Sequence, residues 1–279
     1  MLAIKTENLS FTYAGSRVPA LRNISIEIKE GEFVLIIGPT GCGKSTLVRT
    51  FNGLIPHFYR GEMEGRVIVY GVDTRESKVS DLSRYIGMVF QDPENQLVTL
   101  TVEQEVAFGP ENLGLSKGDI KRRVEYSLRT MKIEHLKFRV PFELSSGEQQ
   151  KVAVASILSM YPRVLILDEP TAHMDPLSAY EFIQSLKTLN DEGKTIVIVE
   201  HRIDFIAPFA TKVIVMNNGE VVDEGEPREV FSRGIIERIG LMPPRASIIF
   251  KALLKNSAWN KIPLSIEELL DTLSELISY

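Results

Sequence analysis

Cysteine is almost absent: Cys42 is the one thiol in 279 residues, so no disulfide can form within the chain. A basic excess is missing too. Lys and Arg total 32 against 37 Asp and Glu, a formal charge of −5. No dominant basic field is expected, which argues against a nucleic-acid partner. No apolar run approaches the ~20 residues of a membrane-spanning helix. The first residues, Met1-Leu2-Ala3-Ile4-Lys5-Thr6-Glu7, alternate like a strand and lack the apolar core of a signal peptide. Internal repeats, low-complexity tracts and charge blocks are lacking as well. What remains is ordinary for a globular protein, 25% charged and 44% hydrophobic, long enough for one large domain or a domain with an appendage. These absences favour the cytoplasm and leave docking onto a membrane protein open.

Against that background one stretch stands out. Gly38-Pro39-Thr40-Gly41-Cys42-Gly43-Lys44-Ser45-Thr46 fits the phosphate-binding pattern G-x-x-x-x-G-K-[ST] without departure. Its glycines let the backbone curl so that N–H groups point inward at phosphate oxygens. Lys44 brings a compact positive charge for the β- and γ-phosphates, and the Ser45 hydroxyl is a ligand for Mg²⁺. The apolar run 33–37 ahead of it reads as a buried strand and 47–51 behind it as a helix, whose N-terminal dipole adds to the anion site.

Further strands are expected at 3–9, 24–28, 67–70, 86–89, 164–167, 195–199, 213–216 and 221–223, and helices at 120–131, 148–160 and 176–189. Strands alternating with helices around apolar strands indicate a parallel α/β core. Residues 92–160 hold no convincing buried strand and read as a helical insertion. After Gly225-Glu226-Pro227 the pattern turns helical. There Ser265 and Glu268 are spaced as a capping box, followed by a stripe of Ile266, Leu269, Leu270, Leu273, Leu276 and Ile277 that fits tail packing or a subunit interface.

The apolar run 164–167 ends in Asp168 and Glu169, and Pro170 stops the strand. Asp168 is placed to hold Mg²⁺, directly or through water, and Glu169 to polarise an attacking water.

With these residues in view, the sequence resembles the ATP-binding subunit of an ATP-binding-cassette (ABC) transporter over residues 1–226. Four further motifs occur in the family's order. Leu144-Ser145-Ser146-Gly147-Glu148 is similar to the signature Leu-Ser-Gly-Gly-Gln with two departures, Ser146 and Glu148. Gln91 stands at the Q-loop, Ala172-His173-Met174-Asp175 at the D-loop, and His201 at the switch histidine. Tyr13 matches the aromatic ring that stacks on adenine, with Phe11 as the alternative ring. Asp175 before Pro176 also suits a helix N-cap with proline at the first position.

The resemblance implies a phosphate-loop ABC fold: a parallel sheet with an antiparallel β part, a helical subdomain near 92–160 and a C-terminal helical extension at 227–279 that helps pair the subunits. It implies ATP and Mg²⁺ as cofactors and a head-to-tail dimer. Lys44 and Ser45 then hold phosphate and metal, and Gln91 senses metal or water. Glu169 is the general base, and His201 contacts the γ-phosphate. Ser145, Ser146 and Gly147, with Asp175, serve a nucleotide shared with the second subunit. Ser146 adds a side chain, and Glu148 a carboxylate, where that subunit's phosphate should approach, which hints at a heterodimer with unlike sites.

A longer similarity, Phe90-Gln91-Asp92-Pro93-Glu94-Asn95-Gln96-Leu97 and then residues 101–114, is to the ATPases of energy-coupling-factor (ECF) transporters and of cobalt and nickel importers. So is the tail around Leu241-Met242-Pro243-Pro244-Arg245. This implies a shared transmembrane coupling subunit and a substrate-capture subunit for a vitamin or metal ion, with the ATPase peripheral on the cytoplasmic face of the membrane. The alternative is a soluble ABC ATPase of DNA repair or translation. The coiled coil usual in the first and the second cassette usual in the other are both absent here. A kinase on a phosphate-loop scaffold would need neither the signature nor the switch histidine.

Overall fold

The computed structural model describes residues 1–253 and 262–277. Among them the strands are β1 (Leu2–Tyr13), β2 (Leu21–Ile24), β3 (Glu27–Lys29), β4 (Phe33–Ile37), β5 (Gly61–Val69), β6 (Val72–Asp73), β7 (Ile86–Val89), β8 (Val164–Asp168), β9 (Thr195–Val199), β10 (Lys212–Asn217) and β11 (Glu220–Gly225). One sheet is antiparallel, in the order β2-β1-β5-β6 with β3 also on β1. The other runs β11-β10-β4-β9-β8-β7. Its strands pair in parallel except for the antiparallel hairpin of β10 and β11. The fold is thus the mixed α/β architecture implied by the resemblance.

The apolar runs of β4, β8 and β9 are buried on both faces, as a sheet covered on two sides requires. Alternate residues face opposite ways. Phe33, Leu35, Leu165, Leu167, Ile196 and Ile198 enter one core, shared with helices Val102–Asn112, Lys117–Thr130, Ser146–Leu158 and Pro176–Asp191. Val34, Ile36, Val164, Ile166, Val197 and Val199 enter a second, shared with the antiparallel sheet and helix Lys44–Phe51. The phosphate loop therefore sits over one core and the helical insertion over the other.

Several boundaries differ from those expected. Residues 24–28 do not form one strand: β2 ends at Ile24 and β3 begins at Glu27. Asn8 adopts φ 47° and the pairing of β1 with β5 shifts register there, so the ladder is interrupted. Hydroxyls stand in for it: Asn8 donates its N–H to Ser25 Oγ (2.9 Å), and Ile26 donates to Thr6 Oγ1 (3.0 Å). β5 begins at Gly61 rather than 67, because its first half is polar and gains strand form only by pairing with β1. Tyr70 leaves the strand at φ 47°, in a two-residue turn with Gly71. The helix expected at 148 starts at Ser146, and the one expected at 120 starts at Lys117, capped by Ser116.

Beyond 226 the chain forms helices Pro227–Ser232, Ile235–Arg238, Arg245–Leu253 and Ile266–Ile277. Val230, Phe231, Ile236 and Leu264 join the helical core. The capping spacing at Ser265 is half realised. Glu268 donates its N–H to Ser265 Oγ (3.2 Å), but its carboxylate accepts from Leu264 N (2.9 Å) instead of Ser265, and pairs with Arg228 at 3.0 Å. The apolar stripe divides. Leu269 packs with Ala246 and Phe250, whereas Ile266 and Leu270 are 49% and 58% exposed. The side chains of Leu276 and Ile277 lie outside the described residues.

Candidate nucleotide site

The phosphate loop begins where β4 ends. A Cβ on Gly38 would lie 2.3 Å from Met216 O on β10, so only glycine lets the two backbones approach there. Gly43 has φ 105° and would place a Cβ 2.5 Å from Ala20 O, so both conformation and space demand glycine just before helix Lys44–Phe51. Thr40 and Gly41 form the exposed crest, with Pro39 half-buried beside them and Cys42 buried beneath. Burial pushes the Cys42 thiol pKa up despite nearby Lys44. Lys44 is 5% exposed, and its ammonium donates back to Gly38 O (2.9 Å) and Pro39 O (3.1 Å), so the loop curls around its own cation.

Tyr13, on β1, meets this loop. Its hydroxyl lies 3.1 Å from Thr46 Oγ1, and its ring stands edge-on to Phe11 at 4.8 Å. Phe11 is fully buried and belongs to the core, so of the two candidate rings Tyr13 borders the loop.

Parallel pairing of β8 with β9 and of β9 with β4 brings the carboxyl ends of these strands to one edge. Ser45 donates its hydroxyl to Asp168 Oδ1 (3.0 Å). Asp168 is 2% exposed. Burial pushes its carboxyl above the usual range, against the Ser45 hydrogen bond and the cations Arg49 and Lys44, while Glu169 adds to the rise. Glu169 leaves the strand at φ 50°, a strained conformation of the kind found at functional sites. Its carboxylate is held on both sides. Gln91 donates from Nε2 to Oε2 (3.1 Å), and His201 Nε2 stands 3.0 Å from Oε1.

Ser145, Ser146, Gly147 and Asp175 form a separate group. Among the described residues no hydrogen bond or ion pair joins them to residues 38–46. Ser145 caps helix Ser146–Leu158 in a full capping box with Glu148. The Glu148 carboxylate accepts from Ser145 N (2.9 Å) and Ser145 Oγ (2.7 Å). Ser146 donates its hydroxyl to His173 O (2.9 Å), and a Cβ on Gly147 would meet only Met174 Cγ at 3.6 Å. Asp175 Oδ1 accepts from Leu177 N and Ser178 N, both 3.0 Å, as N-cap of helix Pro176–Asp191. Both departures from the signature pattern thus have local structural partners.

Hydrogen bonds from Ser145 hold the Glu148 carboxyl below its ordinary value of 4.5. A carboxylate whose folded pKa is depressed stabilises the fold fully above the unfolded value and loses that contribution as pH falls through the folded one. Glu148→Gln should therefore lower the melting temperature slightly near neutrality, with the gap to the wild type closing as pH falls below the ordinary value of 4.5 and through the depressed folded one. Thermal melts across that range check this; a gap of constant size would rule it out.

Five residues gained no role from their sequence. Glu200, Thr171 and Arg202 knit the loop after β8 to the loop after β9. Gln96 bridges the edge of β7 from Met88 O (3.2 Å) to Phe90 N (2.8 Å). Glu105 Oε2 accepts from Val98 N and Thr99 N (2.9 Å each). Together the last two pin the backbone that flanks and follows Gln91. For Glu200 a signal was present, a carboxylate closing an apolar strand just as Asp168 does.

Known proteins resemble this chain in sequence and fold. The family model described as "ABC transporter" matches residues 21–172. A putative ABC transporter ATP-binding protein of Pyrococcus abyssi is 44% identical, covering 97% of each chain. An energy-coupling factor transporter ATP-binding protein, EcfA2 of Clostridium tetani, is 39% identical over 90% of this chain and 89% of that one. Among solved structures, cbiO1 of Clostridium perfringens, described as part of the ABC transporter complex cbiONQ, superimposes with a TM-score of 0.76 at 37% identity, covering 91% of this chain and 99% of that one. A dimeric cassette, MJ0796 bound to ADP and phosphate, does so with 0.71 at 32% identity, covering 80% and 98%.

Proposed function

The chain belongs to the ABC transporter ATP-binding family, and on that premise we propose that it is the ATPase subunit of an ECF-type importer that powers uptake of a vitamin or transition-metal ion. Members of this family bind ATP, hydrolyse it to drive transport, and dimerise. The observation that carries the site assignment is the grip of Gln91 and His201 on Glu169, beside the Ser45–Asp168 contact. In this reading Lys44 and the loop N–H groups hold the phosphates, and Tyr13 lies against the adenine. Glu169 takes the proton of the attacking water, and His201 orients Glu169 and meets the γ-phosphate. Gln91 reports nucleotide state to the helical side.

Ser45 and Asp168 offer two hard oxygen donors 3.0 Å apart, with Gln91 within reach of the neighbouring Glu169. That set suits Mg²⁺ shared with phosphate oxygens, since this cation takes few protein ligands. Among the described residues no cluster of three or more His, Cys, Asp or Glu forms a metal cage. When bound, Mg²⁺ would neutralise phosphate charge and polarise the transferred group.

Ser145, Ser146 and Gly147, with Asp175, have no bond to their own phosphate loop, which supports their use at a second subunit's nucleotide. The exposed Ile266 and Leu270 support a pairing role for residues 227–279. No helix among the described residues is long and apolar enough to cross a membrane. Transport then needs a transmembrane coupling subunit and a substrate-capture subunit, with this chain peripheral on the cytoplasmic face. Exposed Val98 and Leu100, on the segment that follows Gln91, are suited to that contact.

Purification of the tagged chain from native membranes tests the reading. A multispan membrane protein and a second cassette should co-elute; purely cytosolic partners would overturn it. In the purified complex Lys44→Ala should weaken ATP affinity by about tenfold to a hundredfold, the loss of one or two charge-assisted hydrogen bonds. Unchanged affinity in an equilibrium binding assay would count against the phosphate-loop assignment.

A further inference from the structure

Glu200 follows β9 and is 2% exposed, yet it is neither in the nucleotide loop nor among the groups around Glu169. Its carboxylate accepts four donors. Oε1 receives the Thr171 N–H (3.0 Å) and the Thr171 hydroxyl, and Oε2 receives His201 N (2.7 Å) and Arg202 N (3.1 Å). Arg202 returns across the same gap, with Nη1 donating to Thr171 O (3.1 Å) and Met174 O (2.9 Å). Its guanidinium is steadied over the Phe205 ring at 4.9 Å. The backbone supports the same place. Glu169 N donates to Val199 O (2.9 Å) and Glu200 N to Ile36 O (3.3 Å).

The geometry has a direct consequence for the reacting groups. Thr171 is fully buried and lies two residues beyond Glu169; Glu200 immediately precedes His201. A carboxylate with two donors from each loop, reinforced by a guanidinium on two carbonyls, fixes the two backbones relative to each other. We propose that Glu200 and Arg202 are positioning residues for ATP hydrolysis, locking the loop after β8 to the loop after β9 and thereby setting the 3.0 Å approach of His201 to Glu169. The inference rests on the roles proposed for Glu169 and His201. It adds a consequence for the neighbouring loop: Arg202 holds Met174 O, and Ser146 Oγ holds His173 O. The same brace therefore fixes the strip 171–174 against which the start of helix Ser146–Leu158 rests.

Glu200→Gln tests this in the full complex. The amide keeps the shape but turns N–H groups toward two of the four donors, loosening the brace without touching Lys44 or the phosphate loop. Misplacement of reacting groups by an ångström costs about a hundredfold, so kcat should fall by about tenfold to a hundredfold while KM for ATP stays within about twofold. Should Glu200→Gln fail to fold, Arg202 supplies a second pair. Arg202→Met should show the same split between kcat and KM, and Arg202→Lys, which keeps a donor for the two carbonyls, should recover most of kcat.

Two results would overturn the inference. One is wild-type kcat in both Glu200→Gln and Arg202→Met. The other is a loss in which KM rises in step with the fall in kcat, the melting temperature collapses, and Arg202→Lys is no better than Arg202→Met; that is the pattern of mere structural damage. The underlying assignment fails separately, through a Glu169 variant that keeps its turnover.

Discussion

Glu169→Gln is expected to bind ATP as tightly as the wild type and to hydrolyse it about 10²–10⁴-fold more slowly, the usual contribution of a positioned general base. The amide is nearly isosteric and keeps an oxygen for the hydrogen bond from Gln91, so the loop after β8 should hold its shape. What it lacks is a carboxylate oxygen able to take a proton from water. Because hydrolysis is the step that ends the ATP-bound state, the variant should also accumulate as a nucleotide-loaded dimer, visible by size-exclusion chromatography with ATP and absent without it. Single-turnover rates measured beside equilibrium binding separate the two effects. Hydrolysis at the wild-type rate would remove Glu169 from the chemistry.

Asp168→Asn should break the usual link between losing activity and losing stability. Burial raises the Asp168 carboxyl above its ordinary value of 3.8. For a carboxylate the sign is then opposite to that of Glu148. The folded state holds the proton more tightly than the unfolded state, so stability falls as pH rises from the ordinary value through the folded one. The ionised group is a net cost near neutrality. Asparagine removes that charge and can still accept from Ser45. The nucleotide-free variant should therefore melt higher than the wild type at neutral pH. Hydrolysis should nonetheless fall by at least about a hundredfold, because bound Mg²⁺ would lose an anionic ligand and neutralise the phosphate charge less well. The stabilisation should vanish on acidification, as Asp168 in the wild type takes up its proton. Calorimetry with and without ATP and Mg²⁺ reads all three; a variant that melts lower at neutral pH would refute the buried-charge account.

Much of this site is legible in residue order because its chemistry is local. The phosphate loop needs glycine at Gly38 and Gly43 for reasons of backbone space and conformation, and Lys44 and Ser45 follow at fixed offsets. The apolar runs of β4, β8 and β9 announce strands buried on both faces, and Asp168-Glu169 mark where one of them ends. Less legible are elements whose form comes from distant partners. The polar half of β5 looks like a loop until β1 pairs with it, and the break between β2 and β3 follows from a shift in β1 at Asn8. The spacing Ser145-Ser146-Gly147-Glu148 carries a helix-capping signal in plain view, yet the same letters resemble a phosphate-contacting motif, and one pattern masks the other. Glu200 shows only that an acid closes a strand; that its partner is Thr171, 29 residues earlier, depends on two strands lying side by side.

The alternation along the parallel strands gives the protein an insulated interior. Leu165 and Leu167 belong to the helical side, whereas Val164 and Ile166, their immediate neighbours, belong to the side that carries the phosphate loop. Side chains packed on the helical face of the sheet are thereby separated by its thickness from those packed beneath the phosphate loop. The two sides meet at the strand ends, where Gln91 and His201 both contact Glu169, so repacking one face should reach the other chiefly through that edge.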